Sequence, residues 1–134
     1  MAYWLLKTEP DNYSYDDLER DGSIWDGVNK NLALKHLRAM EIGDLALIYH
    51  TGKERRIIGV AEVVSKPYAD PTLDDIKRVV VDVRAVKKVS QIVTLAQIKQ
   101  DTNLENFDLV RIPRLSVVPV PELYWQRILE LAQT

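Results

Sequence analysis

The 134-residue chain contains no cysteine. That absence removes disulfides, thiolate metal sites and cysteine nucleophiles together. Histidine is scarce as well: His36 and His50 are the only two, and they lack the i, i+4 spacing that sets two imidazoles on one helix face. A catalytic metal would therefore have to be held by carboxylates alone. There is no excess of basic charge, since 18 Lys and Arg against 20 Asp and Glu leave a net charge of −2. That balance argues against a protein that coats nucleic acid through phosphate contacts alone, so a nucleic-acid role needs a local basic patch and a specific pocket. No apolar run approaches the ~18 residues of a membrane span. No basic region or cleavage site precedes Tyr3-Trp4-Leu5-Leu6, so no secretory signal is visible. The expectation is a cytoplasmic protein of one domain over residues 1–134, without a membrane partner.

What is present is patterned. Tyr3 to Lys7 reads as a first strand, stopped at Glu9-Pro10. Ser14 with Asp17 three residues on forms a capping-box variant that opens a helix from Tyr15 to Arg20, ended by Gly22. Leu45, Leu47 and Tyr49 alternate with Ala46, Ile48 and His50, and a polar tip at Lys53-Glu54-Arg55-Arg56 joins this strand to Ile57–Val64 as a hairpin. Gly59 within the second arm predicts a bulge or a close backbone approach. Residues 66–78 read as a loop with a turn of helix at Asp74 to Lys77, and Val79 to Val86 as a strand with one wet face. Thr94 with Gln97 caps a short helix through Gln100. Leu109–Ile112 and Leu115–Val120 read as strands broken by Pro113, before a last helix that begins near Pro121. Five to six short strands with three to four helices predict an α+β fold, a mainly antiparallel β-barrel flanked by helices.

The chain is organised around Trp25-Asp26-Gly27-Val28 and the helix-period stripe Ala33, Leu37, Met40, a pattern read as a helix ended by Gly43. It places Trp25 on a loop at the mouth of that helix. There a rigid indole either packs beneath the helix or offers its face to a flat ligand.

Several ordered segments resemble the EVE family, a branch of the PUA-like superfamily that also contains the YTH readers of methylated adenine. They are Tyr3-Trp4-Leu5-Leu6-Lys7-Thr8-Glu9-Pro10, Trp25-Asp26-Gly27-Val28, Leu37-Arg38-Ala39-Met40 with Gly43-Asp44, Tyr49-His50-Thr51, Gly59-Val60-Ala61-Glu62-Val63 and Arg114-Leu115-Ser116-Val117-Val118-Pro119. The chain departs from the family at Asn29-Lys30-Asn31-Leu32, where relatives carry Arg-Asn-Tyr-Gln, and in a shortened segment between Glu62 and Val79. The resemblance implies a PUA-like barrel with a pocket beside the first strand and the tryptophan loop. It also implies a reader of a modified base in DNA or RNA, with modified cytosine in DNA the case for this branch. No metal is expected, because cysteine is absent and the two histidines are not paired at ligand spacing, and no cofactor is expected.

The candidate ligand-binding residues on those motifs are Lys7, Thr8, Glu9, Trp25, Asp26, Gly27, Asn29, Tyr49, His50, Thr51, Arg114 and Ser116. Trp25 is the stacking platform, because a base that leaves its stack is held by an aromatic plane and read by polar groups at its edge. For Lys7 and Glu9 the alternatives are a surface ion pair or contacts to a base edge or phosphate. His50 either meets the ligand or caps a neighbouring backbone group, and the alternation of Tyr49 with Leu47 points to core. Arg114 is a phosphate candidate; Trp4 and Trp125 read as core. Lys53, Arg55 and Arg56 either follow a nucleic-acid backbone or are only solvated. A pocket for a free nucleoside is the second function class. The third is a nuclease or hydrolase using Glu9, Asp26 or Glu62, against which no carboxylate cluster has recognisable ligand spacing.

Overall fold

The computed structural model describes residues 1–134 apart from the side chain of Ser23. Its strands are β1 (Tyr3–Thr8), β2 (Ser23–Trp25), β3 (Leu45–His50), β4 (Arg56–Val63), β5 (Tyr68–Ala69), β6 (Val79–Thr94) and β7 (Val117–Pro119). The helices are α1 (Tyr15–Asp21), α2 (Asn31–Arg38), α3 (Leu95–Gln100), α4 (Asp108–Arg111) and α5 (Glu122–Leu131), with a 3-10 turn at Thr102–Leu104. Six strands follow the order β2-β6-β4-β3-β1-β7, and β5 adds to β6. The sheet is mixed, with β1 parallel to β3 and the other pairs antiparallel, and it curls into a half-barrel flanked by the helices.

Local signals explain much of this. Ser14 Oγ accepts from the Asp17 amide while Asp17 Oδ2 accepts from the Ser14 amide, and Thr94 and Gln97 make the same reciprocal pair at α3. In α2 the buried stripe is Ala33, Leu34 and Leu37; the helix stops at Arg38, so Met40 enters the core from the turn that follows. β3 is buried on both faces from Ala46 to His50, because it lies inside the sheet between β1 and β4. Its alternation therefore does not mark a wet side. Trp4 and Trp125 are in the core.

Three expectations are corrected. Leu109–Ile112 is not a strand: the segment forms α4, with Asp108 in its first turn bound to Arg111 at 2.8 Å. Four residues, three of them apolar, are too few for periodicity to separate helix from strand. β6 continues past Val86 to Thr94, because irregular register against β4 bends the strand so that Val89 and Val93 return to the core. Asp74 to Lys77 forms turns without a helix.

Gly59 serves a close approach as well as an irregular register. A Cβ there would lie 2.3 Å from the Tyr15 ring, and the fully buried Tyr15 donates its hydroxyl to Val60 O at 2.7 Å. Burial foremost, with the charge of Glu19, pushes the Tyr15 phenol up to about 12. An acid whose folded pKa lies above its unfolded value of about 10 contributes stability that is complete below pH 10 and lost as pH rises toward 12. Denaturant melts between pH 9 and 12 should show this alkaline loss, and Tyr15→Phe should shrink it. An unchanged loss in that variant would assign the effect to another group, the Tyr68 phenol beside Asp82 being also raised to about 12.

Candidate functional site

Three segments meet at one end of the sheet around a cavity of about 470 Å³, the size range of small-ligand sites. The end of β1 supplies Lys7 and Thr8, and the turn after it Asn12 and Tyr13. Ile24 and Trp25 come from the end of β2, Asp26, Gly27 and Val28 from the turn into α2, and Ser116 from the approach to β7. Pro10 makes the chain fold back: Asn12 and Tyr13 both donate their amides to Glu9 O, and Thr8 Oγ1 donates to Tyr13 O at 2.6 Å. Gly27 takes φ +79°, the left-handed conformation that glycine adopts without strain, and so turns the chain from β2 toward α2. Arg78 fastens this wall from outside by donating Nε to Val28 O at 3.0 Å.

Trp25 is not on a loop. It ends β2, opposite Val81 of β6, and at 6% exposure it belongs to the core while also lining the cavity. The sequence pattern hides this because a three-residue strand shows no period. Tyr13 meets Trp25 edge-on, with ring centroids 6.4 Å apart and planes at 81°, an arrangement aromatic quadrupoles favour. The Tyr13 hydroxyl is the one buried side-chain polar atom without a hydrogen-bond partner among the described residues. Leaving such a group unmatched costs about 1–3 kcal/mol, and native proteins keep few of them.

Lys7 reaches Pro113 O with Nζ at 2.9 Å and lies 5.9 Å from the centre of the Tyr49 ring. Burial pulls its ammonium below the ordinary lysine range. It makes no ion pair with Glu9, whose Oε2 accepts instead from Thr51 Oγ1 at 3.3 Å. His50 is buried and occupied: Nε2 accepts from the Tyr15 amide at 3.0 Å, so Nδ1 carries the proton and donates to Glu54 Oε1 at 2.9 Å. That hydrogen bond, chiefly, holds the Glu54 carboxyl below its usual range. Replacing His50 by Ala should cost about 1–3 kcal/mol, because the Tyr15 amide then loses its buried acceptor. Urea unfolding measures this, and an unchanged midpoint would show that the amide finds water instead.

The cavity thus gathers Lys7, Thr8, Trp25, Asp26, Gly27 and Ser116, but Glu9, Asn29, Tyr49, His50, Thr51 and Arg114 lie outside its lining. Tyr49 is in the core, while Asn29 and Arg114 are exposed. Sequence reasoning misses Asn12, Tyr13 and Ile24, and of the Trp25–Val28 motif it leaves Val28 out of the candidates. The Pro10-Asp11 turn is the available signal for the first two, since it folds the following residues back over the strand end. A larger concavity of about 550 Å³ lies between β1 and α5, lined by Tyr3, Trp4, Phe107 and Tyr124. Its Asp108 is already satisfied by Arg111. Glu62 pairs with Arg84, and among the described residues no group of three or more His, Asp or Glu is placed to hold a metal ion. No helix there is long and apolar enough to cross a membrane.

Comparison with known proteins follows the same outline. The EVE domain family model matches residues 2–131. Mouse thymocyte nuclear protein 1 is 29% identical, over 98% of this chain and 74% of that protein. Among solved structures, a protein from Agrobacterium tumefaciens superposes with a TM-score of 0.96 at 34% identity, covering 98% of this chain and 93% of that one. The human THYN1 protein in complex with 5-methylcytosine-containing DNA superposes with a TM-score of 0.92 at 28% identity, covering 100% and 99%.

Proposed function

The chain belongs to the EVE domain family, and from that premise we propose that it is a non-enzymatic reader of nucleic acid that holds a modified base, 5-methylcytosine in DNA foremost, in the Trp25–Tyr13 cavity. The observation that carries this reading is a space large enough for a base, lined by Trp25 and by Tyr13, whose buried hydroxyl has no hydrogen-bond partner among the described residues. An extruded base brings an apolar face and a polar edge, and the cavity offers the matching surfaces. Trp25 and Val28 contact the face and any methyl group. Tyr13, Asn12 and Asp26 supply hydrogen-bonding atoms for the edge. The human THYN1 complex supports DNA carrying 5-methylcytosine as the first ligand to try. RNA is the other polymer for which this chemistry serves.

A free nucleoside would use the same cavity, and the net charge of −2 favours a ligand with few phosphates. Fluorescence anisotropy with plain and 5-methylcytosine oligonucleotides, single-stranded and duplex, alongside free nucleosides by calorimetry, separates the two readings. The reader predicts tighter binding of the modified oligonucleotide; equal affinity for modified and plain strands overturns it. Tyr13→Phe supplies an internal check. One missing hydrogen bond of about 1 kcal/mol should weaken the modified ligand roughly fivefold. Thermal stability should hold or rise, since an unmatched buried hydroxyl is removed. Unchanged affinity in that variant would remove Tyr13 from the reading edge.

A further inference from the structure

Basic side chains border the cavity on its α2 side and are fastened to its wall. Arg78 donates Nε to Val28 O at 3.0 Å, and Arg38 donates Nη2 to Lys77 O at 2.8 Å. These two bonds press the loop before β6 against α2 and the Gly27 turn, so that Lys30, Arg38, Lys77 and Arg78 follow one seam leading away from the cavity. Six cations are matched to carboxylates: Arg20 to Asp17 and Asp21, Arg56 to Glu54, Arg84 to Glu62, Lys88 to Asp16, Arg111 to Asp108, and Arg127 to Asp101 and Glu130. Among the described residues the seam cations take part in no such pair. Asp70, which feels the charge of Arg78, accepts at Oδ1 from the amide and hydroxyl of Thr72, and Asp75 accepts at Oδ1 from the Lys77 amide. Asp26, Asp74 and Asp75 are exposed carboxylates close to the seam in sequence.

We propose that this seam holds the phosphodiester backbone on one side of the base bound in the cavity, which makes the partner a polymer strand and not a free nucleoside. The inference rests on the base-reading assignment above. A guanidinium that spends one N–H on a carbonyl keeps its remaining donors for a phosphate, in a plane the first bond has already fixed. The eight residues of α2 span about 12 Å, enough for several charges of a strand that carries one per ~3.4 Å of helix axis.

Lys30 and Lys77 are exposed, and among the described residues neither side chain makes a hydrogen bond or ion pair. The variant Lys30→Gln/Lys77→Gln therefore tests the seam without loosening the fold. Its counterpart, Lys53→Gln/Lys99→Gln, removes the same charge at the hairpin tip and α3. Affinities for modified and plain oligonucleotides are measured by anisotropy across a salt series, and the modified nucleoside by calorimetry. The seam variant should flatten the slope of log affinity against log salt by about 1.4–1.8, at ~0.7–0.9 for each phosphate that no longer meets a lysine. Both oligonucleotides should weaken in parallel, nucleoside binding should be unchanged, and the counterpart should keep the wild-type slope. An unchanged slope in the seam variant, an equal change in the counterpart, or no oligonucleotide binding at all overturns the proposal. Loss of discrimination between modified and plain strands, with the seam effect intact, would instead overturn the base-reading assignment and leave the seam standing.

Discussion

Truncating Trp25 to Ala should unfold the protein more readily before it says anything about binding. The indole is 6% exposed, ends β2 and packs within the main hydrophobic core, and removing a buried Trp costs about 3–5 kcal/mol. For a chain of this length that is roughly 10 °C or more in melting temperature. The loss has two parts: the apolar area of the ring returns to water, and the cavity it leaves merges with the 470 Å³ space already beside it. Tyr13 then loses the ring it meets edge-on, so binding falls as well, through a wall that no longer exists. Trp25→Phe separates the effects, since a smaller ring keeps most of the packing while shortening the wall. Calorimetric melting and ligand titration of both variants check this. A Trp25→Ala protein that melts like wild type would mean the indole is a surface platform and not part of the core.

How much of the fold is legible in the sequence depends on how local each cause is. Both capping boxes are readable because Ser14 with Asp17 and Thr94 with Gln97 need only three residues of spacing and one backbone turn. The β3–β4 hairpin and the Ala33–Leu37 stripe are readable from period alone. The far half of β6 is not, because Lys87-Lys88 has the look of a strand end; the irregular pairing that carries the strand past them is decided by β4, whose Val60 and Gly59 pair with Lys87 and Lys88 from 27 and 29 residues earlier. The buried position of Trp25 depends likewise on Val81 across the ladder.

For the site the division is sharper. Lys7, Thr8, Trp25, Asp26, Gly27 and Ser116 stand in family motifs, and the fold brings them together. His50 and Tyr49 stand in equally recognisable motifs, yet one is spent on the Tyr15 amide and the other on the core. A motif marks a constrained position without saying whether the constraint is a ligand or a neighbour. Tyr13 shows the reverse. Nothing in the sequence marks its hydroxyl, because the lack of a partner is a property of what surrounds it in three dimensions.

Gly59→Ala should be among the most damaging single-methyl changes available to this chain. The added Cβ would stand 2.3 and 2.5 Å from two carbons of the Tyr15 ring, well inside van der Waals range. Tyr15 cannot yield cheaply: it is fully buried, its hydroxyl is held by Val60 O, and its amide is held by His50. Overpacking of a core costs typically 1–3 kcal/mol, and a ring fixed at both ends puts the expected loss at the top of that range, about 3 kcal/mol. The consequence reaches the cavity, because Tyr15 follows directly on the turn that presents Asn12 and Tyr13. Pushing the ring outward should loosen that turn and weaken ligand binding without touching a lining residue. The origin is tested by a double-mutant cycle with Tyr15→Ala, in which removing the ring gives the methyl room. Gly59→Ala should then cost far less than in the wild-type background, a coupling of at least ~1.5 kcal/mol by urea unfolding. Additive losses would place the cost of Gly59→Ala in the strand backbone and not in the clash with Tyr15.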